Sequence, residues 1–256
     1  MSREQVPVLE RAMLLFAEII QEERLRQVGV SVQVVPLTPE EAIGRPWRQD
    51  FPIIVGKERV IEATVLGTKG QAFTDSPQDF EGTLADVLAL DLATSQNRAV
   101  FIASLNAVLN HLGLVQGTVH CKDEEPERCA LEIADSLSSK YGRVSVGLIG
   151  LNPAIAERLV ERFGHDCVRI TDLDPDNVGR QRFGVEIWDG ADRTDDLIEA
   201  SDVVVFTGTT LVNATFDGIW DLIERGMKHY LVYGMTAAGV CQLTGINRTC
   251  PYGREF

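Results

Sequence analysis

Apolar positions near the start of the chain recur at helical spacing. Leu9, Met13, Phe16 and Ile20 follow one another at steps of four, three and four, so they share one face. Gly29, after the charged run Glu22, Glu23, Arg24, ends that helix. Val30, Val32 and Val34 alternate with polar residues, the pattern of a half-buried strand. Residues 53–55 and 60–65 flank Gly56-Lys57-Glu58 and read as a hairpin. Gly67, Gly70 and Pro77 bracket an expected loop carrying Phe73-Thr74-Asp75, and helices are expected over 84–90 and 98–112. Helix, strands, helices make a small α+β unit over residues 1–118.

The rhythm then changes. Short apolar runs at 144–149, 167–171, 185–188, 203–207 and 230–233 alternate with amphipathic stretches at 153–163, 194–200 and 215–225. Such alternation predicts a parallel sheet covered on both faces, a three-layer doubly wound α/β domain over residues 119–256. The charged run Lys122-Asp123-Glu124-Glu125-Pro126-Glu127 reads as the linker between the two units.

Composition narrows the function. Lys and Arg number 24 against 38 Asp and Glu, a net charge of −14. That repels nucleic-acid phosphates and anionic membrane surfaces, so neither is an expected partner. Five widely spaced cysteines, an odd number, fit a reducing cytoplasm. The N-terminus Met-Ser-Arg-Glu does not read as a signal peptide, because Glu10, Arg11 and Glu18 interrupt the apolar run. Residues 99–119 lack Asp, Glu, Lys and Arg but hold Ser104, Asn106, Asn110, His111 and Gln116, which favours a buried helix over a membrane span.

In open α/β sheets, ligands bind beyond the carboxyl ends of the strands. Four loops meet that description. Gly150-Leu151-Asn152-Pro153 ends a strand and opens a helix, with Pro153 suited to the first helical position and the helix N-terminus to an anion. The three-glycine dinucleotide fingerprint is incomplete there, and a tight turn explains the loop equally well. Asp172 stands where a ribose-binding acid is found, about 20 residues past the glycine loop, though Asp and Pro also make turns and caps. The loop Thr207-Gly208-Thr209-Thr210-Leu211-Val212-Asn213-Ala214-Thr215 packs hydroxyls and an amide between a strand and a helix. Capping by Thr215 accounts for one or two of these polar residues and not for five, so ligand binding is the stronger reading. The fourth loop, Gly234-Met235-Thr236-Ala237-Ala238-Gly239, has the small residues that close ligand approach needs, or that tight packing needs.

His120, Cys121 and Cys129 with the intervening acids are the densest set of metal-ligating side chains. No Cys-x-x-Cys pair supports a zinc knuckle, and the cysteines are also explicable as small buried hydrophobes. Cys250 is a second thiol candidate. No Gly-x-Ser-x-Gly elbow is present. Ten Asp or Glu fall between Asp172 and Asp202, a solvated rim that also attracts cations.

The stretch from His120 to Ala130, Gly147-Leu148-Ile149-Gly150, and Asp202 to Thr215 resemble the putative heavy-metal-chelation family, whose members are mostly uncharacterised prokaryotic proteins. Gly70-Gln71-Ala72-Phe73-Thr74 and Leu105-Asn106-Ala107 extend the resemblance into the first half. It implies an enolase-N-terminal-like domain followed by a Rossmann-like domain, with a site in the cleft between them. Carried over, that site involves Thr74, Asn106, Cys121, Gly150, Thr207, Thr209 and Asn213. Gly234-Met235-Thr236 departs from the family's Gly-Pro-Ser/Thr-like turn.

Together these readings lead to the expectation of a cytoplasmic, two-domain protein that takes a small molecule or metal complex in the interdomain cleft, with a role in heavy-metal chelation. Thr74, Asn106, Gly150, Asp172, Thr207, Gly208, Thr209, Thr210 and Asn213 are the expected ligand-binding residues. His120 and Cys121 are the expected ligands of a transition metal. The alternatives are an enzyme that binds a nucleotide or S-adenosylmethionine in the Rossmann-like half, and a non-catalytic carrier or interaction protein. Self-association is compatible with either.

Overall fold

The structure, a computed structural model, describes residues 6–34, 43–56 and 58–254. The N-terminal Met-Ser-Arg-Glu and Lys57 of the expected hairpin lie outside them. Helix α1 (Val8–Glu22) leads into β1 (Gly29–Val34), β2 (Arg59–Val65), β3 (Thr68–Thr74) and β4 (Phe80–Thr83). These strands form an antiparallel sheet in the order β3-β2-β1-β4. Helices α2 (Leu84–Leu88) and α3 (Ser95–His111) follow. Thr83 and Asp86 make a capping box at the start of α2.

Two expectations for this half are corrected. Residues 51–56 form turns and not a strand, so no hairpin closes through Gly56. The hairpin instead joins β2 to β3 through Leu66 and Gly67, both with positive φ (50° and 80°), the backbone signature of a tight two-residue turn. The expected loop around Gly70 is strand β3. Gly70 is required there by packing: a Cβ at that position would lie 2.2 Å from the Ala107 nitrogen of α3.

The second half adds α4 (Glu125–Tyr141), β5 (Val146–Ile149), α5 (Pro153–Phe163), β6 (Val168–Asp172), β7 (Gln181–Arg182), β8 (Val185–Asp189), α6 (Gly190–Glu199), β9 (Val203–Thr207), α7 (Thr209–Val212), α8 (Phe216–Gly226), β10 (His229–Tyr233), α9 (Ala238–Thr244) and β11 (Arg248–Thr249). The sheet order is β11-β10-β9-β5-β6-β8-β7, parallel throughout except for the short edge strand β7. Counting only the parallel strands, this is the doubly wound order 3-2-1-4-5-6, so the topological switch point lies between β5 and β9. The protein is thus mixed α/β with two sheets, one of them predominantly parallel. Helices α4 and α9 lie in stretches read from the sequence as a linker and a loop.

The two halves share one core. Helix α3 is buried around its whole circumference from Ala99 to Leu109, as an apolar helix inside a protein must be. It packs between the antiparallel sheet and Phe206, Phe216, Val232 and Val240 of the second half. A second cluster lies across the parallel sheet, where Ile43, Phe51 and Ile53 pack with Ile133, Leu148 and Ile155. Arg48 holds that segment in place, 2.5 Å from Glu127 and also paired with Glu157. Asp50 in turn meets Arg182 at 2.6 Å. No helix among the described residues is long and apolar enough to cross a membrane.

The tightest polar tie between the halves is Asn106 of α3, which is wholly buried. Its amide nitrogen donates to the carbonyls of Gln71 (3.0 Å), Met235 (3.3 Å) and Thr236 (3.3 Å), and its oxygen accepts from the Gly239 N–H at 2.7 Å. Truncation to Asn106→Ala leaves these groups buried without partners, each a cost of about 1–3 kcal/mol. A net loss of about 3 kcal/mol lowers Tm by about 6–12 °C in a chain of this size, measurable by thermal melting.

Candidate functional site

A cleft of about 1230 Å³ runs along the carboxyl edge of the parallel sheet and under the end of β3. It lies at the switch point: Gly150 after β5 approaches Thr207 at the end of β9, such that a Cβ on Gly150 would sit 3.0 Å from the Thr207 methyl. The first half supplies Phe73 and Asp75 to the wall, and the Phe73 N–H donates to the Thr236 hydroxyl at 3.1 Å.

The structure brings most of the expected residues to this cleft. Gly150, Asp172, Thr207, Gly208, Thr209, Thr210, Asn213, His120 and Cys121 all line it. Thr74 and Asn106 do not. Thr74 is buried and its hydroxyl accepts the Ser76 N–H at 3.1 Å, while Asn106 spends its amide on the interdomain contacts above. A buried amide and a ligand-binding amide look alike in sequence, and only the packing separates them.

Several polar groups expected to face a ligand are engaged with one another. One Asp172 oxygen accepts the Leu151 N–H at 2.6 Å and the other accepts the Asp174 N–H at 2.7 Å. Asn152 accepts the Ala154 and Ile155 N–H groups at 3.1 and 3.2 Å, so the first turn of α5 is capped from within. The Thr209 N–H and hydroxyl both reach the Thr207 hydroxyl, and the Thr210 hydroxyl donates to the Thr207 carbonyl at 2.7 Å. Thr215 precedes α8 without a side-chain cap, and Asp217 instead accepts the Val8 N–H at 2.7 Å. Arg98 donates to the carbonyls of Leu92, Ala93 and Val212 and so braces the loop after α7.

One end of the cleft carries the reactive side chains. His120 Nδ1 lies 2.5 Å from the Cys121 carbonyl oxygen, which can only accept, so Nδ1 carries the proton and Nε2 keeps its lone pair. Burial depresses the His120 pKa to about 4, which keeps the ring neutral. The Phe73 ring meets it edge-on at 5.1 Å. Cys121, Cys129 and Cys250 all line this end. Burial pushes all three thiols up, that of Cys129 to about 12, and each of Cys121 and Cys129 is raised further by Cys250. Cys250 arrives because the C-terminal tail folds back: Val119 and Arg254 form a β-bridge, and Arg254 meets Glu125 through two hydrogen bonds of 2.9 and 3.0 Å. Among the described residues, no three His, Cys, Asp or Glu side chains converge closely enough to hold a bare metal ion.

Glu58 is the functional candidate that sequence reasoning missed, because it was assigned to a hairpin turn. It lines the cleft, half-buried, beside Asp172 and Asp75. Enclosure by protein, and then the two neighbouring carboxylates, raise its pKa from 4.5 to about 7. Tyr233, at the end of β10, is buried close to the same carboxylates.

The fold defines a two-sheet α/β protein with a cleft at the switch point of its parallel sheet. Residues 133–244 match the family DUF364, described as "Putative heavy-metal chelation", which is the family the motifs resemble. The match begins after His120 and Cys121. A DUF364 protein of unknown function from Pyrococcus horikoshii shares the fold, with a TM-score of 0.53 at 12% identity over 90% of this chain and 80% of that one. A DUF364 protein of unknown function from Desulfitobacterium hafniense DCB-2 aligns with a TM-score of 0.48 at 13% identity, over 73% of this chain and 72% of that one. No curated protein matches.

The raised Glu58 pKa makes stability depend on pH. The folded chain holds this proton up to about pH 7, the unfolded chain only to its ordinary value of 4.5, so stability falls as pH rises between the two. Glu58→Gln removes that penalty. The variant melts with the parent at pH 4 and gains about 3 kcal/mol at pH 8, a rise of about 6–12 °C in Tm.

Proposed function

We propose that the cleft binds a small organic ligand or a metal complex, with soft ligation from His120 and Cys121, and that this is the chain's part in heavy-metal chelation. The observation that carries the reading is His120. A neutral imidazole whose Nδ1–H is held by a backbone carbonyl keeps Nε2 as a donor, which is how ligating histidines are oriented. Thiols beside it add donors that prefer soft metals. These thiols are protonated at neutral pH, so a metal must displace their protons to be held.

The size of the cleft favours a metal that arrives with ligands of its own. A volume of about 1230 Å³ suits a drug-sized molecule, and a complex needs only one or two donors from the protein. The family description supports metal as cargo. Neither nucleic acid nor a membrane suits a chain with a net charge of −14. An enzyme using a nucleotide or S-adenosylmethionine has less support. Asp172 closes on the Leu151 N–H and Asn152 caps α5, so the donors and the acid such a ligand needs are already engaged. A carrier role in the cytoplasm is the same binding without turnover.

The test is anaerobic purification followed by elemental analysis. The parent protein retains a thiophilic metal, and Cys121→Ser and His120→Gln each retain at least about tenfold less. Absence of metal from the parent, or retention by both variants equal to that of the parent, refutes the reading. A thermal-shift screen of nucleotides and S-adenosylmethionine comes out flat, since a bound ligand would raise Tm by mass action.

A further inference from the structure

Glu58 and Asp75 present an unbalanced charge to the cleft. Neither carboxylate makes a hydrogen bond or ion pair with another described residue. Both line the same cleft as Asp172, and Glu58 is repelled by each of the other two carboxylates. The two arginines that line the cleft are committed elsewhere: Arg98 to three backbone carbonyls, and Arg225 to the Asp221 carbonyl at 3.2 Å. A half-buried carboxylate among like charges is an unfavourable arrangement that a cation would relieve.

A second observation points the same way. Thr171, beside Asp172, lines the cleft and is wholly buried, yet its hydroxyl has no hydrogen-bond partner among the described residues. Buried hydroxyls are nearly always paired, so an orphan at a cleft wall marks a place for a ligand or its bound water. The same cleft is lined by the rings of Phe51, Phe73 and Tyr233, with Tyr233 close to Glu58 and Asp172. Carboxylates set among aromatic faces recognise ammonium ions, which gain from both.

We infer that the carboxylate end of the cleft, where Glu58 and Asp75 lie beside the backbone-bound Asp172, binds through Glu58 and Asp75 the ammonium group of an organic amine whose apolar body lies against Phe73 and Tyr233. The inference rests on the reading of the cleft as a ligand site and names the charge its ligand carries. A bare divalent ion suits the site less well, because the three carboxylates do not converge on one point. An ammonium group with three divergent N–H donors bridges such a spread.

The test compares three probes of one shape by isothermal titration calorimetry in phosphate buffer at pH 8: phenethylamine, 2-phenylethanol and phenylacetate. The parent binds the amine at least about tenfold more tightly than the alcohol, a difference of about 1.4 kcal/mol, and does not bind phenylacetate. Glu58→Gln, which is the more stable protein at this pH, brings amine and alcohol to within about threefold, and Asp75→Asn reduces the preference in part. Equal binding of amine and alcohol, no binding of any probe, an undiminished preference in Glu58→Gln, or displacement of the amine by equimolar Mg²⁺ or Ca²⁺ overturns the inference. Cys121→Ser separates it from metal ligation: the amine preference survives that change whether or not metal is retained.

Discussion

Asn106 carries the contact on which the site depends. One buried amide satisfies the Gln71 carbonyl of β3, two carbonyls at the end of β10 and the first turn of α9. A buried amide with four partners specifies position more sharply than apolar packing, since any slip of the halves leaves polar groups unpaired. The glycines around it are set by the same closeness. A Cβ on Gly239 would lie 2.9 Å from the Asn106 oxygen, and Gly70 rests against α3 next to Asn106. With β3 held there, Phe73 and Asp75 face the carboxyl edge of the second sheet, and a strand end of the first sheet becomes a wall of the cleft beside the second.

The chemistry along the cleft is graded. At one end a neutral imidazole and three protonated thiols face apolar residues, a soft and uncharged surface. At the switch point, Glu58 and Asp75 pair with no cation among the described residues. Between them the threonine loop satisfies itself through Thr207, so its hydroxyls shape the wall more than they solicit a ligand. The net charge of −14 therefore has a local meaning: part of the acid excess is gathered where a bound cation would meet it.

Much of the second half was legible because its signals are local. Pro153 to Phe163 and Val203 to Thr207 are a helix and a strand at the boundaries that periodicity indicates. The failures also have physical causes. Helix α4 begins in the charged run Lys122 to Glu127, and that polarity obscured the apolar face of Ala130, Ile133, Ala134 and Leu137 behind it. Strand β3 contains a glycine that reads as a breaker, yet it is there to admit a helix. Residues 53–55 read as a strand but form turns, with Ile53 packed in the cluster that includes Ile133 of α4 and the preceding Arg48 paired with Glu127. Most of the expected site residues reached the cleft because strand-end loops in a doubly wound sheet converge by topology. In sequence Glu58 reads as part of a turn, Asp75 is passed over beside Thr74, and Cys250, a thiol candidate by itself, reaches the cleft only because the chain after it pairs with Val119.

By itself the sequence determined the alternation of strands and helices in the second half, the acidic balance, and the loops that gather at the carboxyl edge, since each depends on neighbours within a few residues. Tertiary structure alone decided which polar residues face a ligand and which hold the halves together. It buried Asn106 and Thr74, turned Asp172 onto the Leu151 backbone, brought Cys250 beside Cys121, and left Glu58 with no partner among the described residues. Those outcomes depend on contacts between residues distant in the chain, and whether a polar group is satisfied is settled only when its partners are in place.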